Sequence, residues 1–563
     1  MRDGTQVTSK TIIRCFLSAV LYAASITGKL PALVASAVAQ APSLALSGIV
    51  TSPAGEPMEG VLVSTQREGT PVTITVVSDA TGRFAFPATR LHPGKYHLAV
   101  RAVGFELATP ASVDIATGAE THAALQLAAA RDTAAQLSNT EWLSSWPGTN
   151  EQKRPLIECM SCHTLERIAR SKLGAAELHP LLARMSQYAN NTTPAKVQSR
   201  TVPRPVHEDT VRRLADYLAG INASKGPWSY PLHTLARPKG RATRVIVTEY
   251  ELPRATIAPH DVRTDNIGVV WYSNFVENSL GRFDPRTAEH REFRTPIIKP
   301  GAAEGALALE PDPDGNWWLS SMFQSGLYLF DVKTESFRHW PLPPELDHDA
   351  AQQSLLMPWR RTVDGRVWTN DVQRQLILAL DTATGRYDRI DPFRALPKGR
   401  PHAPYGMVAD AANNLFFMDF AGESLGRVDA RTLGVTLYPT PTPQSRPRRT
   451  MIDAGGLIWF AEFAADKIGM FDSVREEFRE WNVPTPHTHP YDVYRDARGD
   501  VWTGSMASNR IGRFNPETGA WVEYLLPRPT NIRRIHVDDR TTPPTLWAGS
   551  NHGASIIKLE PLD

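Results

Sequence analysis

The sequence predicts a multidomain, mainly β chain: a small β-sandwich, a short helical segment and a seven-bladed β-propeller, in that order. Three observations carry this. Residues 45–128 alternate apolar and polar at period two between turn residues, the period becomes helical from about 140 to 225, and from 244 onward an aromatic mark recurs every 43 to 50 residues. A length of 563 residues accommodates several domains, and 45 prolines with 37 glycines favour many turns over long helices. Sixty-one Lys and Arg against 59 Asp and Glu leave a formal charge of +2, which gives no overall electrostatic case for a nucleic acid or an anionic membrane surface as partner.

The first 39 residues read as an export signal. Arg2, Lys10 and Arg14 precede an apolar stretch from Phe16 to about Ile26, and Ala37-Val38-Ala39 fits the small-x-small rule for signal peptidase. An uncleaved anchor is the alternative, but Lys29 and Pro31 interrupt the run, and no later stretch is long and apolar enough to span a membrane. The mature chain is therefore expected in the periplasm or otherwise outside the cytoplasm. Cys15 falls within this segment and is assigned no function.

The sandwich, residues 45–128, is built on Gly48-Ile49-Val50, Gly60-Val61-Leu62-Val63 and Gly82-Arg83-Phe84-Ala85-Phe86. The order Gly55-Glu56-Pro57, Asp79-Ala80-Thr81-Gly82-Arg83-Phe84, Pro93-Gly94-Lys95-Tyr96 and Ala102-Val103-Gly104-Phe105 resembles the carboxypeptidase regulatory-like domain. The resemblance implies a prealbumin-like sandwich used as a folding or docking module. His92 and His97 are read as surface side chains.

In residues 140–225, Asn150 to Cys159, Ala175 to Tyr188 and His207 to Ile221 read as helices, the last with Val211, Leu214, Ala215, Leu218 and Ile221 on one apolar stripe. Cys159-Met160-Ser161-Cys162-His163 is the C-x-x-C-H haem attachment sequence. Two thiols on one turn can reach the two porphyrin vinyl groups, while the next imidazole lies under the iron. A disulfide or half of a zinc site would leave His163 unexplained. The segment looks like a class I c-type cytochrome, which implies covalent haem c, iron held by His163, and electron exchange with a redox partner protein. Met185 is the expected sixth ligand, with His179 next and Met160 a remote candidate. Residues 226–243 read as a linker.

Trp271, Trp318, Trp368, Phe416, Trp459, Trp502 and Trp547 mark seven blades over residues 244–563. Each follows a turn such as Asp265-Asn266, Asp364-Gly365 or Gly455-Gly456, and most precede a strand of the type Ser279-Leu280-Gly281-Arg282-Phe283-Asp284. The seventh blade ends at Ile556-Ile557-Lys558-Leu559 without an outer strand. Arg244 to Pro253 has that outer-strand pattern, so it is expected to pair into blade seven and close the ring.

The repeat, as in Pro-His/Tyr-x-Val/Met followed by Trp-Phe and Leu/Ile-Gly-Arg, resembles virginiamycin B lyase, the streptogramin B lyase family. The resemblance implies ring opening of a cyclic depsipeptide by elimination, with Mg²⁺ held by His and Glu and a neighbouring His as base. His260 and Glu462 match positions of that pattern and are the catalytic candidates. Arg448 stands where the family's triplet requires histidine, and Tyr405 and Tyr491 take the corresponding places in blades four and six. An arginine repels a divalent cation and stays protonated. By strand position the channel mouth gathers His260, Asn274, Asp371, Asp419, Arg448 and Glu462, together with His489 and Arg533, a mixture suited to a polar or anionic small molecule. Two readings follow. One is an exported c-type cytochrome whose propeller binds a small molecule or redox partner; the other is a Mg²⁺-dependent streptogramin-type lyase with an appended cytochrome.

Overall fold

The computed structural model describes residues 43–358 and 365–563. The expected export signal, with Cys15 and the Ala37–Ala39 cleavage site, and the Asp364 turn position lie outside the described residues. Among the described residues, no helix is long and apolar enough to cross a membrane.

Residues 43–129 form the expected sandwich of two four-stranded layers. One layer runs Arg83–Pro87, Leu44–Thr51, Thr121–Ala129, Phe105–Leu107, with a parallel pair between the second and third strands. The other runs Val72–Val77, Leu62–Arg67, Gly94–Arg101, Ala111–Ile115. Leu46, Val50, Val63, Phe84, Phe86 and Leu98 meet between the layers. The alternation that marked these strands is the alternation of core and solvent faces.

The strand Val245–Glu251 closes the ring as expected, pairing antiparallel with Ser555–Pro561 of blade seven. Its opposite edge pairs with Val72–Val77 of the sandwich, from Val72↔Tyr250 to Val76↔Ile246. Blade seven and half of the sandwich therefore form one eight-stranded sheet. Successive side chains point to opposite faces, so Ile246 enters the sandwich core while Val245 and Val247 enter the blade-seven core. The sandwich covers the edge that closure alone would have left open.

Blades one to six are four-stranded meanders. An aspartate six residues before the aromatic mark fixes the hairpin: Asp265, Asp453 and Asp496 each accept from the indole Nε1 of Trp271, Trp459 and Trp502 at 3.0, 3.1 and 2.8 Å. The same carboxylates accept backbone N–H groups of the turn, as Asp265 does from Ile267 and Val269. The glycine of the third strand also has a packing cause. Gly426 pairs with Phe417 and Gly469 with Phe460, and a Cβ at either would stand 2.1 or 2.3 Å from the partner's ring.

Between sandwich and propeller the chain is helical, but in more and shorter pieces than expected. A helix Asn139–Ser145, capped by Ser138 and Glu141 in a reciprocal box, precedes the expected set and brings Trp142 into the core. The expected helix 150–159 is two single turns, Asn150–Lys153 and Leu156–Cys159, because Pro155 between them has no N–H to continue the ladder. Ala175–Met185 and Glu208–Ile221 follow, and of the anticipated stripe Val211, Ala215, Leu218 and Ile221 are buried. The 226–243 segment is more than a linker. Trp228 packs edge-on against Trp142 at 5.4 Å, the His233 N–H donates to Ser145 Oγ, and Arg237 and Gly240 bond to Glu59 of the sandwich. It straps the helices to the sandwich.

Candidate functional site

The innermost strands of blades one, four, five, six and seven each begin with a bulge: one extra residue separates the first pair (Pro259↔Asn274, Pro404↔Asp419, Pro447↔Glu462, Pro490↔Ser505, Ile532↔Ser550) from the next. A bulge re-aims side chains, so two consecutive residues of these strands can serve the central channel. The first layer is His260, Tyr405, Arg448, Tyr491 and Arg533. The second holds Asp261, Arg449, Asp492 and Arg534.

A hydrogen-bonded chain crosses the channel through both layers. Tyr405 Oη lies 2.8 Å from Tyr491 Oη, which lies 3.2 Å from His260 Nε2, and His260 Nδ1 lies 2.8 Å from Asp261. Asp261 is ion-paired with Arg449 at 2.7 Å, and burial notwithstanding, that guanidinium holds its carboxyl below the usual range. An ionised Asp261 accepts from His260 Nδ1–H, which leaves Nε2 to accept from Tyr491. Burial pushes the His260 imidazolium down to about 3, so the ring is neutral. Burial acts to raise the Tyr491 phenol, but the guanidiniums of Arg448, Arg533 and Arg449 bring it below its ordinary value.

Arg448 stands 3.8 Å above the Tyr491 ring, 4.2 Å from Phe420 and 4.4 Å from Phe463. Its Nη1 reaches the Met506 sulfur at 3.6 Å. An aromatic cage drawn from blades four, five and six thus holds a cation. Glu462 is fully buried next to this strand with neither carboxylate oxygen hydrogen-bonded, and burial, then the neighbouring Glu480, push its pKa up to about 8.

The Cys159–His163 loop lies directly on the propeller. Asn531 Nδ2 donates to the carbonyl of Met160 at 2.9 Å and Arg533 Nη2 to that of Ser161 at 2.6 Å. The amides of Cys162 and His163 both bond to the carbonyl of Cys159, which keeps the three side chains on one continuing turn. Both cysteines are free thiols, and burial raises both, Cys159 to about 12. Burial also lowers His163, favouring neutral imidazole, and its Nδ1 lies 2.9 Å from the carbonyl of Thr164. Donation by Nδ1–H leaves Nε2 as the nitrogen open to a metal, the arrangement that orients imidazole ligands. Two thiols and an imidazole in this order are the donor types that covalent haem attachment uses.

The expected sixth ligand is placed less favourably. Met185 is 37 % exposed at the end of its helix and stands outside the helical core. His179 is paired with Glu208 at 3.1 Å, and Met160 is fully buried among Leu156, Leu165 and Trp142.

Beside the loop, a cleft of about 1730 Å³ separates Lys153, Arg154 and Ile157 of the helices from Arg446, His402 and His487 of blades four to six. Its carboxylates are engaged: Asp419 bonds His402 at 2.6 Å, and Asp466 accepts from the N–H groups of His487 and His489.

Two family comparisons match. The virginiamycin B lyase family covers residues 311–559, and the carboxypeptidase regulatory-like domain covers residues 45–128. The chain carries a carboxypeptidase regulatory-like domain and a virginiamycin B lyase-like propeller. Residues 129–310, with the helical segment, lie outside both matches. No curated protein matches the chain. Among solved structures, a streptogramin B lyase is 22% identical with a TM-score of 0.49, over 57% of this chain and all of that one. A virginiamycin B lyase from Staphylococcus aureus is 21% identical with a TM-score of 0.48, over 56% and 99%. The extracellular domain of a hybrid two-component system from B. thetaiotaomicron is 15% identical with a TM-score of 0.42, over 55% and 41%.

In this virginiamycin B lyase-like propeller the side chains present do not fit a divalent cation. Among the described residues no three His, Cys, Asp or Glu side chains converge as a metal site. The caged Arg448 puts a fixed positive charge among blades four to six, and His260 is committed on both nitrogens. The other candidates are dispersed. Asn274 bonds Glu277 and Ser279, Asp371 bonds His348 at 2.8 Å, and His489 Nδ1 bonds the carbonyl of Phe463. Sequence reasoning missed the second layer, although its signal was present: Pro-His-Asp, Pro-Arg-Arg, Pro-Tyr-Asp and Ile-Arg-Arg open the corresponding strands.

Proposed function

We propose that this chain is an exported c-type cytochrome built onto a lyase-type propeller. Cys159 and Cys162 hold haem through thioethers, His163 ligates its iron through Nε2, and Met185 is the candidate sixth ligand. The bound haem supplies one-electron chemistry. The chain's own residues do the rest: Thr164 orients the imidazole, Asn531 and Arg533 hold the attachment loop against the channel, and the cleft edged by Arg154 and Arg446 receives a small polar or anionic molecule or a redox partner protein. Nucleic acid has no place in this reading, and the site of action is the periplasm or otherwise outside the cytoplasm. The observation that carries the reading is the His163 geometry, with one nitrogen tied to a carbonyl directly after two free thiols on the same turn.

Mass spectrometry of protein matured in a host with a haem-attachment system tests it. One haem added covalently, lost in the Cys159→Ser/Cys162→Ser double variant, is the expected result. Unmodified polypeptide overturns it.

A second reading, a streptogramin-type lyase with an appended helical module, is favoured by the family match over residues 311–559. It requires Mg²⁺-dependent opening of a cyclic depsipeptide that Glu462→Gln abolishes. Arg448 speaks against it.

A further inference from the structure

Arg533 belongs to the innermost strand of blade seven and is 3% exposed. Besides the Ser161 carbonyl, its guanidinium donates from Nε to Asn531 Oδ1 at 2.8 Å and lies 4.5 Å over the Phe275 ring. Asn531 in turn holds the Met160 carbonyl. Met160 and Ser161 are the two residues between the cysteines, so the propeller grips the attachment loop by its backbone at both intervening positions.

The charges around Arg533 are unequal to those around its neighbours. Arg449 is matched by Asp261, and Arg534 lies 2.9 Å from Glu310 and 3.1 Å from Asp492. The polar partners of Arg533 among the described residues are neutral, an amide oxygen and a carbonyl. A full positive charge is thus buried against the loop, where solvent screens it weakly. Such a charge favours the reduced state of a nearby iron, which carries one positive charge fewer.

We propose that Arg533 is a positioning residue for the haem attachment loop and that its uncompensated charge holds the reduction potential of the iron up. This rests on the haem reading above. The propeller is then part of the redox centre and not merely its neighbour.

The test is a potentiometric titration of the purified, haem-bearing full-length protein, followed by its visible spectrum. Arg533→Gln removes the charge and keeps an amide donor, and Asn531→Asp sets a carboxylate against the guanidinium without changing side-chain size. Each is expected to raise the oxidised-to-reduced ratio at a fixed potential about tenfold, a midpoint lower by about 59 mV for one electron. Arg533→Lys, which keeps the charge, stays near the wild-type midpoint. Haem-bearing Gln and Asp variants with the wild-type midpoint overturn the proposal, and Asn531→Asp decides alone if Arg533→Gln does not fold. A wild-type protein that matures without haem overturns the underlying reading instead, and mass spectrometry shows this before any titration.

Discussion

Arg449 Nη2 lies 2.7 Å from Asp261 Oδ1 across the propeller channel, both side chains almost wholly buried. The pair joins blade five to blade one, and Arg534 of blade seven lies 3.7 Å from the same carboxylate. Removing one partner of a buried pair strands the other charge in a poorly solvated place. Arg449→Met is therefore expected to destabilise the propeller by about 3 kcal/mol or more. Urea unfolding of wild type and variant measures this, and a loss under about 1 kcal/mol would mean that Arg534 alone satisfies Asp261.

Glu462 makes stability depend on pH with a definite sign. Its folded pKa, about 8, exceeds its ordinary value of 4.5, so between these the folded protein holds a proton that the unfolded chain has released. Its contribution is complete below the unfolded pKa and declines as pH rises towards 8. The decline approaches about 1.4 kcal/mol per pH unit in mid-window. Denaturation at pH 5, 6.5 and 8 is expected to show Glu462→Gln gaining on wild type as pH rises. Parallel curves would refute a buried, protonated carboxyl.

The glycines of the third strands are spatial requirements. At Gly469 a Cβ would stand 2.3 Å from the Phe460 ring, so Gly469→Ala forces the ring or the strand to move. A loss of roughly 1–3 kcal/mol is expected. The double variant with Phe460→Leu should recover part of it, which a thermal unfolding series can read.

The sandwich protects the ring-closing strand. Without residues 43–128, Val245–Glu251 would present an open edge where Val72–Val77 now pairs. The truncated protein is expected to self-associate on size exclusion at concentrations where the full chain does not. Monodisperse truncated protein would show that the edge needs no cover.

Much of this architecture was legible from periodicity. The 43-to-50-residue recurrence of Trp and Phe announced the blades, and the outer-strand pattern of residues 244–253 announced the closure, because both depend on residue spacing along one strand or hairpin. The helical stripe from Val211 to Ile221 was legible for the same reason. The Cys159-x-x-Cys162-His163 motif could be read because it is local: two thiols and an imidazole within five positions.

Contacts between distant residues were not legible. Val72–Val77 pairing with Val245–Glu251, Arg533 reaching Ser161, and Arg448 settling among four aromatic rings join positions far apart in the chain. Spacing along the chain says which face a side chain occupies, but not which other face will meet it. The bulges that bring a second layer of Asp and Arg into the channel shift the strand's period by one residue, so a period-two reading sends those side chains the wrong way. Local rhythm alone established the order and kinds of the domains. Which charges became buried, which of them found partners and where the Cys159–His163 loop came to rest were settled by packing, because the cost of desolvating a charge depends on what surrounds it in space.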